Sequence, residues 1–155
     1  MSINKALVAI LGPTATGKSA LALAIADRYG GEIINCDSTA MYRGFDIGTD
    51  KITPADRRGI PHHLIDIADP TDEYTAAQFA RDAADVVRDI HARGRLPILA
   101  GGTGFYYRAL TRGLFPGPGK NAALRRRLES ICFSWTARIT ASLAIGPTQH
   151  RTETY

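Results

Sequence analysis

The sequence contains little cysteine and no hydrophobic run long enough to cross a membrane. Its two cysteines, Cys36 and Cys132, lie far apart and form no Cys-x-x-Cys pair, so neither a zinc knuckle nor a disulfide framework is indicated. The apolar stretch at residues 6–11 is too short to span a bilayer and precedes no small-residue cleavage site. We therefore expect buried thiols in a cytoplasmic protein, with neither export nor membrane contact.

The length, the composition and the net charge of the chain indicate which class of protein it belongs to. The chain has 155 residues, of which 45% are hydrophobic and 22% are charged. These values are typical of one soluble globular domain and exclude a disordered chain. The formal net charge of +4 suits an anionic partner such as a phosphate ester or RNA, without requiring one.

Apolar runs typical of buried parallel strands alternate with segments of helical periodicity. Strands are predicted at residues 6–11, 32–36, 63–67 and 96–100, and helices are predicted after Ser19, from Thr75 and from Phe105. Thr75 and Gln78 form a capping-box pattern, and Gly94 ends that helix. The alternation predicts an α/β fold with a central parallel sheet and right-handed crossovers.

The remaining segments carry weaker patterns. Residues 42–61 are polar and contain glycine, which predicts a surface loop. Residues 115–120 form a proline-glycine break, and residues 121–131 have the pattern of a basic amphipathic helix. Residues 132–155 show no steady period. We predict a core over residues 1–131 and a divergent tail over residues 132–155.

A phosphate-binding loop follows the first predicted strand and precedes a helix. The G-x-x-x-x-G-K-[ST] pattern is matched in full by Gly12, Pro13, Thr14, Ala15, Thr16, Gly17, Lys18 and Ser19. In such a loop the backbone amides and the helix N-terminus point at phosphate oxygens. Lys18 supplies positive charge and the Ser19 hydroxyl can bind Mg²⁺. The motif therefore predicts a P-loop NTPase-like three-layer fold that binds a diphosphate or triphosphate with Mg²⁺.

Two further sites follow strands of the predicted sheet, where open α/β sheets bind ligands. Asp37 ends the second strand, and a carboxylate there either assists a metal or nucleophile or caps a turn with Ser38. Residues 101–104 follow the last strand. They form either a second anion site with the Thr103 hydroxyl as donor or a tight glycine turn.

Histidine, tyrosine and arginine clusters give weaker signals. Adjacent side chains on an extended chain point to opposite faces, which argues against a shared metal at His62 and His63. Tyr106 and Tyr107, together with the arginines at 125–127, could stack on and neutralise RNA. A solvated helix face explains these arginines equally well.

Five sequence blocks occur in the order and spacing of one family. They are the P-loop at 12–19, Asp37-Ser38 with residues 42–44, residues 46–49, residues 61–66, and residues 101–104. From Ala6 to about Leu128 the chain resembles the tRNA dimethylallyltransferases, also called tRNA isopentenyltransferases. The resemblance implies transfer of a dimethylallyl group from dimethylallyl diphosphate to N6 of the adenine 3′-adjacent to the anticodon, with release of diphosphate and with Mg²⁺ as cofactor.

The resemblance also implies roles for individual residues. Lys18 and Thr103 would stabilise the diphosphate, and Asp37 would accept the proton of the adenine amine. Asp37, Ser38, Thr39 and Ala40 would contact the tRNA base, which would be flipped from the anticodon loop. Many members carry glutamine between the serine and tyrosine of this block, whereas here residues 39–41 read Thr-Ala-Met. The implied protein is a cytoplasmic monomer.

A non-catalytic diphosphate-binding protein and a small-molecule P-loop kinase remain as alternatives. Family members are longer than this chain, and the resemblance implies that their later part supplies much of the tRNA-binding surface. A chain without that part would hold diphosphate without turnover. A kinase would share the strand, loop and helix, but the blocks at 42–51 and 61–66 have no role in it.

Overall fold

The computed structural model describes residues 6–47, 49–114, 121, 123–124 and 126–131. Gly48, Arg125, Cys132, the break at 115–120 and the tail at 132–155 lie outside these residues. The chain divides into two units, residues 1–114 and 115–155. The predicted boundary at residue 131 stays a prediction.

The first unit alternates strands and helices along the chain. Its elements are β1 (Val8–Leu11), α1 (Lys18–Tyr29), β2 (Gly31–Asn35), β3 (His62–His63), α2 (Ala76–Ala92), β4 (Leu96–Gly101) and α3 (Gly104–Arg112). The strands form one parallel sheet in the order β1-β4-β2-β3. Non-consecutive strands that run parallel require crossover connections, and the helices supply them.

Helices cover both faces of the sheet. Neighbouring side chains of β2 and β4 alternate between the faces, so Ile33 and Ile98 pack with α1, while Ile34 and Leu99 join the core formed with α2 and α3. These two central strands are buried almost throughout, as continuous apolar runs predict. The arrangement confirms the predicted α/β fold with a central parallel sheet.

The three helices begin in different ways. Helix α2 has the predicted capping box, because the Thr75 hydroxyl accepts from the Gln78 amide and the Gln78 side chain accepts from the Thr75 amide. Helix α1 begins after Gly17 and α3 after Thr103, and neither has a side-chain cap. Because the first amides of a helix have no intrahelical acceptor, α1 presents free donors at the edge of the sheet where β1 ends. In α3, by contrast, the amides of Gly104 and Tyr106 donate to the carbonyls of Gly102 and Thr103 at 3.2 and 3.0 Å.

The predicted strand at 63–67 is wrong in its extent. Only His62 and His63 pair with β2. Leu64 and Asp66 then adopt positive φ angles of 59° and 55°, which no strand allows. The Asn35 side-chain amide donates to the Leu64 carbonyl at 2.9 Å, so a tertiary contact holds this unusual backbone in place.

The second unit contains a short helical segment at residues 123–124 and 126–131, where the sequence predicts a helix. The Asn121 side-chain oxygen accepts from the amides of Ala123 and Leu124 at 3.1 and 2.9 Å. Asn121 therefore acts as its N-cap.

Gly101, the last residue of β4, lies against the backbone of Cys36, which follows β2. A Cβ atom at this position would lie 2.3 Å from the carbonyl carbon and oxygen of Cys36. We expect Gly101→Ala to lower the free energy of unfolding by about 3 kcal/mol, because backbone would have to move. Urea denaturation checks this. Gly102→Ala is the control, since its Cβ would meet only ordinary contacts at 3.6 and 3.7 Å, and an equal loss in both variants would contradict the prediction.

Candidate active site

The P-loop curls back on itself before α1 begins. Ala15 and Gly17 take positive φ angles of 65° and 80°, and the Thr16 hydroxyl donates to the Pro13 carbonyl at 2.9 Å. The Lys18 ammonium donates to the same carbonyl. The proton of the Thr16 hydroxyl is therefore used within the loop, and the donors left for an anion are the uncapped amides of α1 and the remaining protons of Lys18.

The two carboxylate oxygens of Asp37 have different surroundings. One oxygen, Oδ1, accepts from the amide and the hydroxyl of Thr39 at 2.9 and 2.7 Å. Among the described residues Oδ2 has no hydrogen-bond donor, and it lies 3.7 Å from the Cβ position of Gly102. Asp37 therefore caps the turn at 38–39, and its second oxygen remains available for chemistry.

Thr103 connects the loop after β4 to the loop after β2 through two hydrogen bonds. Its amide donates to the Cys36 carbonyl at 3.0 Å, and its hydroxyl accepts from the Ser38 amide at 3.1 Å. These contacts fix Asp37 and the uncapped start of α3 relative to each other. The predicted loops at 37–39 and 101–104 thus form one rigid wall.

Two neighbouring cavities meet at the P-loop. The outer cavity is lined by Gly12, Pro13, Thr14, Asp37, Ser38, Thr39, Thr49, Gly102 and Thr103. The inner cavity is lined by Thr14, Lys18, Ser19, Asn35, Asp37, Ala40, the loop at 49–52, His62 and Ile65, with Ala22, Ile33, Ala100 and Gly101. Thr14, Asp37 and Thr49 border both. Of the predicted site residues, Ala15, Thr16 and Gly17 line neither cavity.

Lys51 is a residue whose position the sequence pattern did not indicate. Its side chain is only 4% exposed and donates to the Tyr42 carbonyl, to Asp46 and to Asp66 at 2.7–2.8 Å. Burial opposes its charge, but these carboxylate contacts outweigh it and raise the pKa of Lys51. The segment at 42–61 is therefore not only a surface loop, since Lys51 anchors it as one wall of the inner cavity.

Asn35 is a second residue near the cavities whose role the sequence did not indicate. Its side chain donates to the carbonyls of Asp37 and Leu64 at 3.1 and 2.9 Å and accepts from the Asp37 amide at 3.1 Å. Asn35 thereby positions the backbone of Asp37. The available signal was a polar residue directly after the two isoleucines of β2, where a buried amide must find partners.

The histidine pair serves separate parts of the molecule. The His62 ring borders the inner cavity, and its Nδ1 lies 2.8 Å from the Ile60 carbonyl. The His63 ring contacts the Glu32 carboxylate at 2.7 Å.

Tyr106 is buried and stacks on Phe79 with ring centroids 4.6 Å apart. The suggestion that Tyr106 stacks on RNA is therefore wrong, because its ring belongs to the core.

Cys36 is buried between β2 and the start of α3. Its thiol contacts the Thr103 carbonyl at 3.6 Å. Burial, with the charge of Asp37 nearby, raises the pKa of Cys36 to about 12. This thiol is protonated and inert at neutral pH, as expected for a structural cysteine beside the site.

Glu32 forms a buried ion cluster beneath β3. Its carboxylate is 4% exposed and accepts from Arg93 at 2.8 and 3.2 Å as well as contacting His63. Burial alone would raise its pKa, but the hydrogen bonds from Arg93 and His63 prevail and hold the pKa of Glu32 below its ordinary value of 4.5.

Glu32 is expected to make the fold sensitive to acid. Because its pKa is lowered on folding, its stabilising contribution is complete above pH 4.5 and is lost as the pH falls through the lowered value. Urea denaturation of Glu32→Gln should therefore show a smaller loss of stability between neutral and acidic pH than the wild type. Asp85→Asn removes an exposed carboxylate and serves as control. Identical acid profiles for wild type and Glu32→Gln would contradict this role.

The family model of IPP transferase matches residues 40–146. The chain belongs to the IPP transferase family. It is 62% identical over 124 residues to a tRNA dimethylallyltransferase of Solibacter usitatus, and 52% identical over 143 residues to one of Bordetella pertussis. These matches cover 80% and 91% of this chain but 40% and 45% of the relatives, so the chain spans less than half of their length.

Solved members of the IPP transferase family have the same fold. A tRNA isopentenylpyrophosphate transferase from Bacillus halodurans matches with a TM-score of 0.69 and 42% identity, over 92% of this chain and 51% of that one. A eukaryotic dimethylallyltransferase acting on tRNA matches with a TM-score of 0.69 and 33% identity, over 77% of this chain and 31% of that one. In the described part of this chain, no helix is long and apolar enough to cross a bilayer.

Proposed function

We propose that this chain forms the catalytic core of a tRNA dimethylallyltransferase. The reaction would move a dimethylallyl group from dimethylallyl diphosphate to N6 of the adenine 3′-adjacent to the anticodon and release diphosphate. One observation carries the proposal: the P-loop of an IPP transferase family member and the unengaged Oδ2 of Asp37 border the same two cavities. The partners would be the tRNA anticodon loop and the allylic donor, and the chain would act as a cytoplasmic monomer.

In the proposed reaction each bond change has a group of the site to support it. The carbon–oxygen bond of the donor breaks, and the leaving diphosphate remains on Lys18, the free amides of α1 and the P-loop backbone. A carbon–nitrogen bond forms to the adenine amine. The amine is a weak nucleophile because its lone pair is delocalised into the ring, so a base that removes its proton is needed, and Asp37 would be that base.

The outer cavity suits the base that receives the dimethylallyl group. Ser38, Thr39 and Thr103 line it together with Asp37 and the P-loop. Reaching Asp37 would require the adenine to leave the anticodon stack. Ala40 is 5% exposed and borders only the inner cavity, so it would contact the base least.

Mg²⁺ fits the residues at the start of α1. The Ser19 hydroxyl borders the inner cavity together with Asp37 and has no hydrogen-bond partner among the described residues. Hydroxyl and carboxylate oxygens are ligands that Mg²⁺ accepts. Ser19 would hold the ion, which would neutralise charge on the diphosphate.

The test supplies labelled dimethylallyl diphosphate, Mg²⁺ and unmodified tRNA, with a full-length relative as positive control. Label in tRNA from this chain would support the proposal. Binding of diphosphate without transfer would instead favour the non-catalytic alternative. Calorimetry with diphosphate and Mg²⁺, beside a tRNA gel shift, separates the two.

A further inference from the structure

Two residues in the turn after β3 hold a backbone conformation that side chains rarely adopt. Leu64 and Asp66 have positive φ angles of 59° and 55°. Residues other than glycine are strained in this region, and they persist there only where the surrounding structure over-determines them. The contacts of residues 64–66 therefore identify the parts of the molecule to which this turn is fixed.

On one side the turn is fixed to Asp37 through Asn35. The Asn35 side-chain amide donates to the Leu64 carbonyl at 2.9 Å and to the Asp37 carbonyl at 3.1 Å. Its oxygen accepts from the Asp37 amide at 3.1 Å. The Leu64 side chain is buried in the same core cluster as Cys36 and Met41. One side-chain amide thus joins the turn to the backbone of Asp37.

On the other side the turn is fixed to the segment at 42–51 through Asp66. The Asp66 carboxylate accepts from the Lys51 ammonium at 2.7 Å. The Asp66 amide donates to the Ala40 carbonyl at 3.3 Å. The turn therefore contacts the chain just before this segment as well as its last residue.

Lys51 carries this contact to a wall of the cavities. Its ammonium also donates to the Tyr42 carbonyl and to Asp46 at 2.8 Å, so its three protons are all engaged. Lys51 borders the inner cavity but has no proton left for a ligand. Its neighbour Asp50 borders the inner cavity, and Thr49 borders both. Lys51 therefore holds this wall in place.

We propose that the turn at 64–66, with Asn35 and Lys51 at its two sides, is a brace that fixes Asp37 relative to the cavity wall at Thr49. Asp66 borders neither cavity and is a positioning residue, since it acts through the brace. The inference rests on the proposed function, in which Asp37 accepts the proton of the adenine amine. A misplacement of about 1 Å can lower a rate about a hundredfold, so a strained but rigid turn serves this reaction.

Hydrogen exchange and single-turnover transfer test the brace in the variant Asp66→Gly. Glycine removes the acceptor of Lys51 and adopts a positive φ without strain, so the turn is no longer held. Exchange should become about tenfold faster or more at two amides, that of Arg43, which donates to Ala68, and that of Asp37. Transfer at saturating substrates should fall about tenfold or more. Calorimetry should show unchanged affinity for diphosphate with Mg²⁺, because the P-loop is not part of the brace.

Two further variants of acidic residues serve as controls. Asp66→Asn keeps an oxygen that accepts from Lys51, and asparagine tolerates a positive φ, so transfer should stay within about threefold of the wild type. Asp69→Gly makes the same truncation three residues later, at an exposed ion pair with Arg43. It borders neither cavity and should leave transfer and the Asp37 amide unchanged.

Thermal unfolding checks that each variant is folded. Lys51→Met replaces Asp66→Gly if the latter does not fold, because the carboxylates that it leaves at Asp46 and Asp66 are 68% and 42% exposed and can be hydrated.

The brace would be overturned by an Asp37 amide that exchanges at the wild-type rate in Asp66→Gly, or by equal effects of Asp66→Gly and Asp69→Gly. Weaker diphosphate binding in Asp66→Gly would also overturn it, since the disturbance would then extend to the P-loop. Absence of transfer by the wild type would overturn the proposed function instead. The exchange rates would still confirm or reject the brace in that case.

Discussion

Replacing Lys18 by methionine is expected to weaken the binding of diphosphate with Mg²⁺ by about a hundredfold or more. Methionine keeps an unbranched side chain but removes the charge that faces the anion at the start of α1. The Lys18 ammonium contacts the Pro13 carbonyl of its own loop and has no carboxylate partner among the described residues. Its charge therefore remains available to the ligand. Isothermal titration calorimetry measures the loss.

Arg28→Ala is the control for the change in net charge. Arg28 lies in the last turn of α1, at the opposite end of the helix from Lys18. Its loss lowers the overall charge equally but removes no group near the P-loop. Binding that weakens to the same extent in both variants would show that general electrostatics, and not contact with Lys18, holds the diphosphate.

Replacing Asp37 by asparagine is expected to reduce transfer to tRNA by about a hundredfold or more, which is the usual contribution of a general base. Asparagine suits the test because its side-chain oxygen can still accept from the amide and hydroxyl of Thr39, as Oδ1 does. The turn at 38–39 is then preserved. Diphosphate affinity should be equal or slightly higher, since a negative charge near the anion is removed. Single-turnover transfer and calorimetry give the two readouts.

Asp56→Asn provides the matched control for Asp37. Asp56 also accepts from a threonine hydroxyl, that of Thr53 at 2.6 Å, but it borders neither cavity. Its replacement should leave transfer at the wild-type level. Full transfer by Asp37→Asn would defeat the role of Asp37 as base, and a parallel loss of diphosphate binding would point to a damaged site instead.

Local patterns in the sequence predict the parts of the fold that depend on neighbours along the chain. The strand, loop and helix around the P-loop follow from an apolar run, glycine spacing and helical periodicity. The capping box at Thr75 is read from four consecutive residues and forms as expected. The parallel sheet follows from the alternation of such segments.

Features that depend on distant contacts could not be read in this way. Lys51 has the sequence context of a loop lysine, and its burial depends on acceptors that include Asp66, fifteen residues away. The backbone at Leu64 turns because Asn35, twenty-nine residues earlier, donates to it. Tyr106 has the same local pattern as Tyr107 and enters the core because Phe79 packs against it. In each case tertiary contacts decide the environment of the residue.

Helix α2 carries its own side-chain cap, whereas α1 has none. A bound anion would accept from the amides that α1 leaves free and so complete the helix from outside. A ligand that binds only the folded chain stabilises it by about 2.7 kcal/mol when the ligand concentration is about one hundred times the dissociation constant. The melting temperature of this chain would then report the free diphosphate concentration around it, and its first helix would fray when diphosphate is scarce.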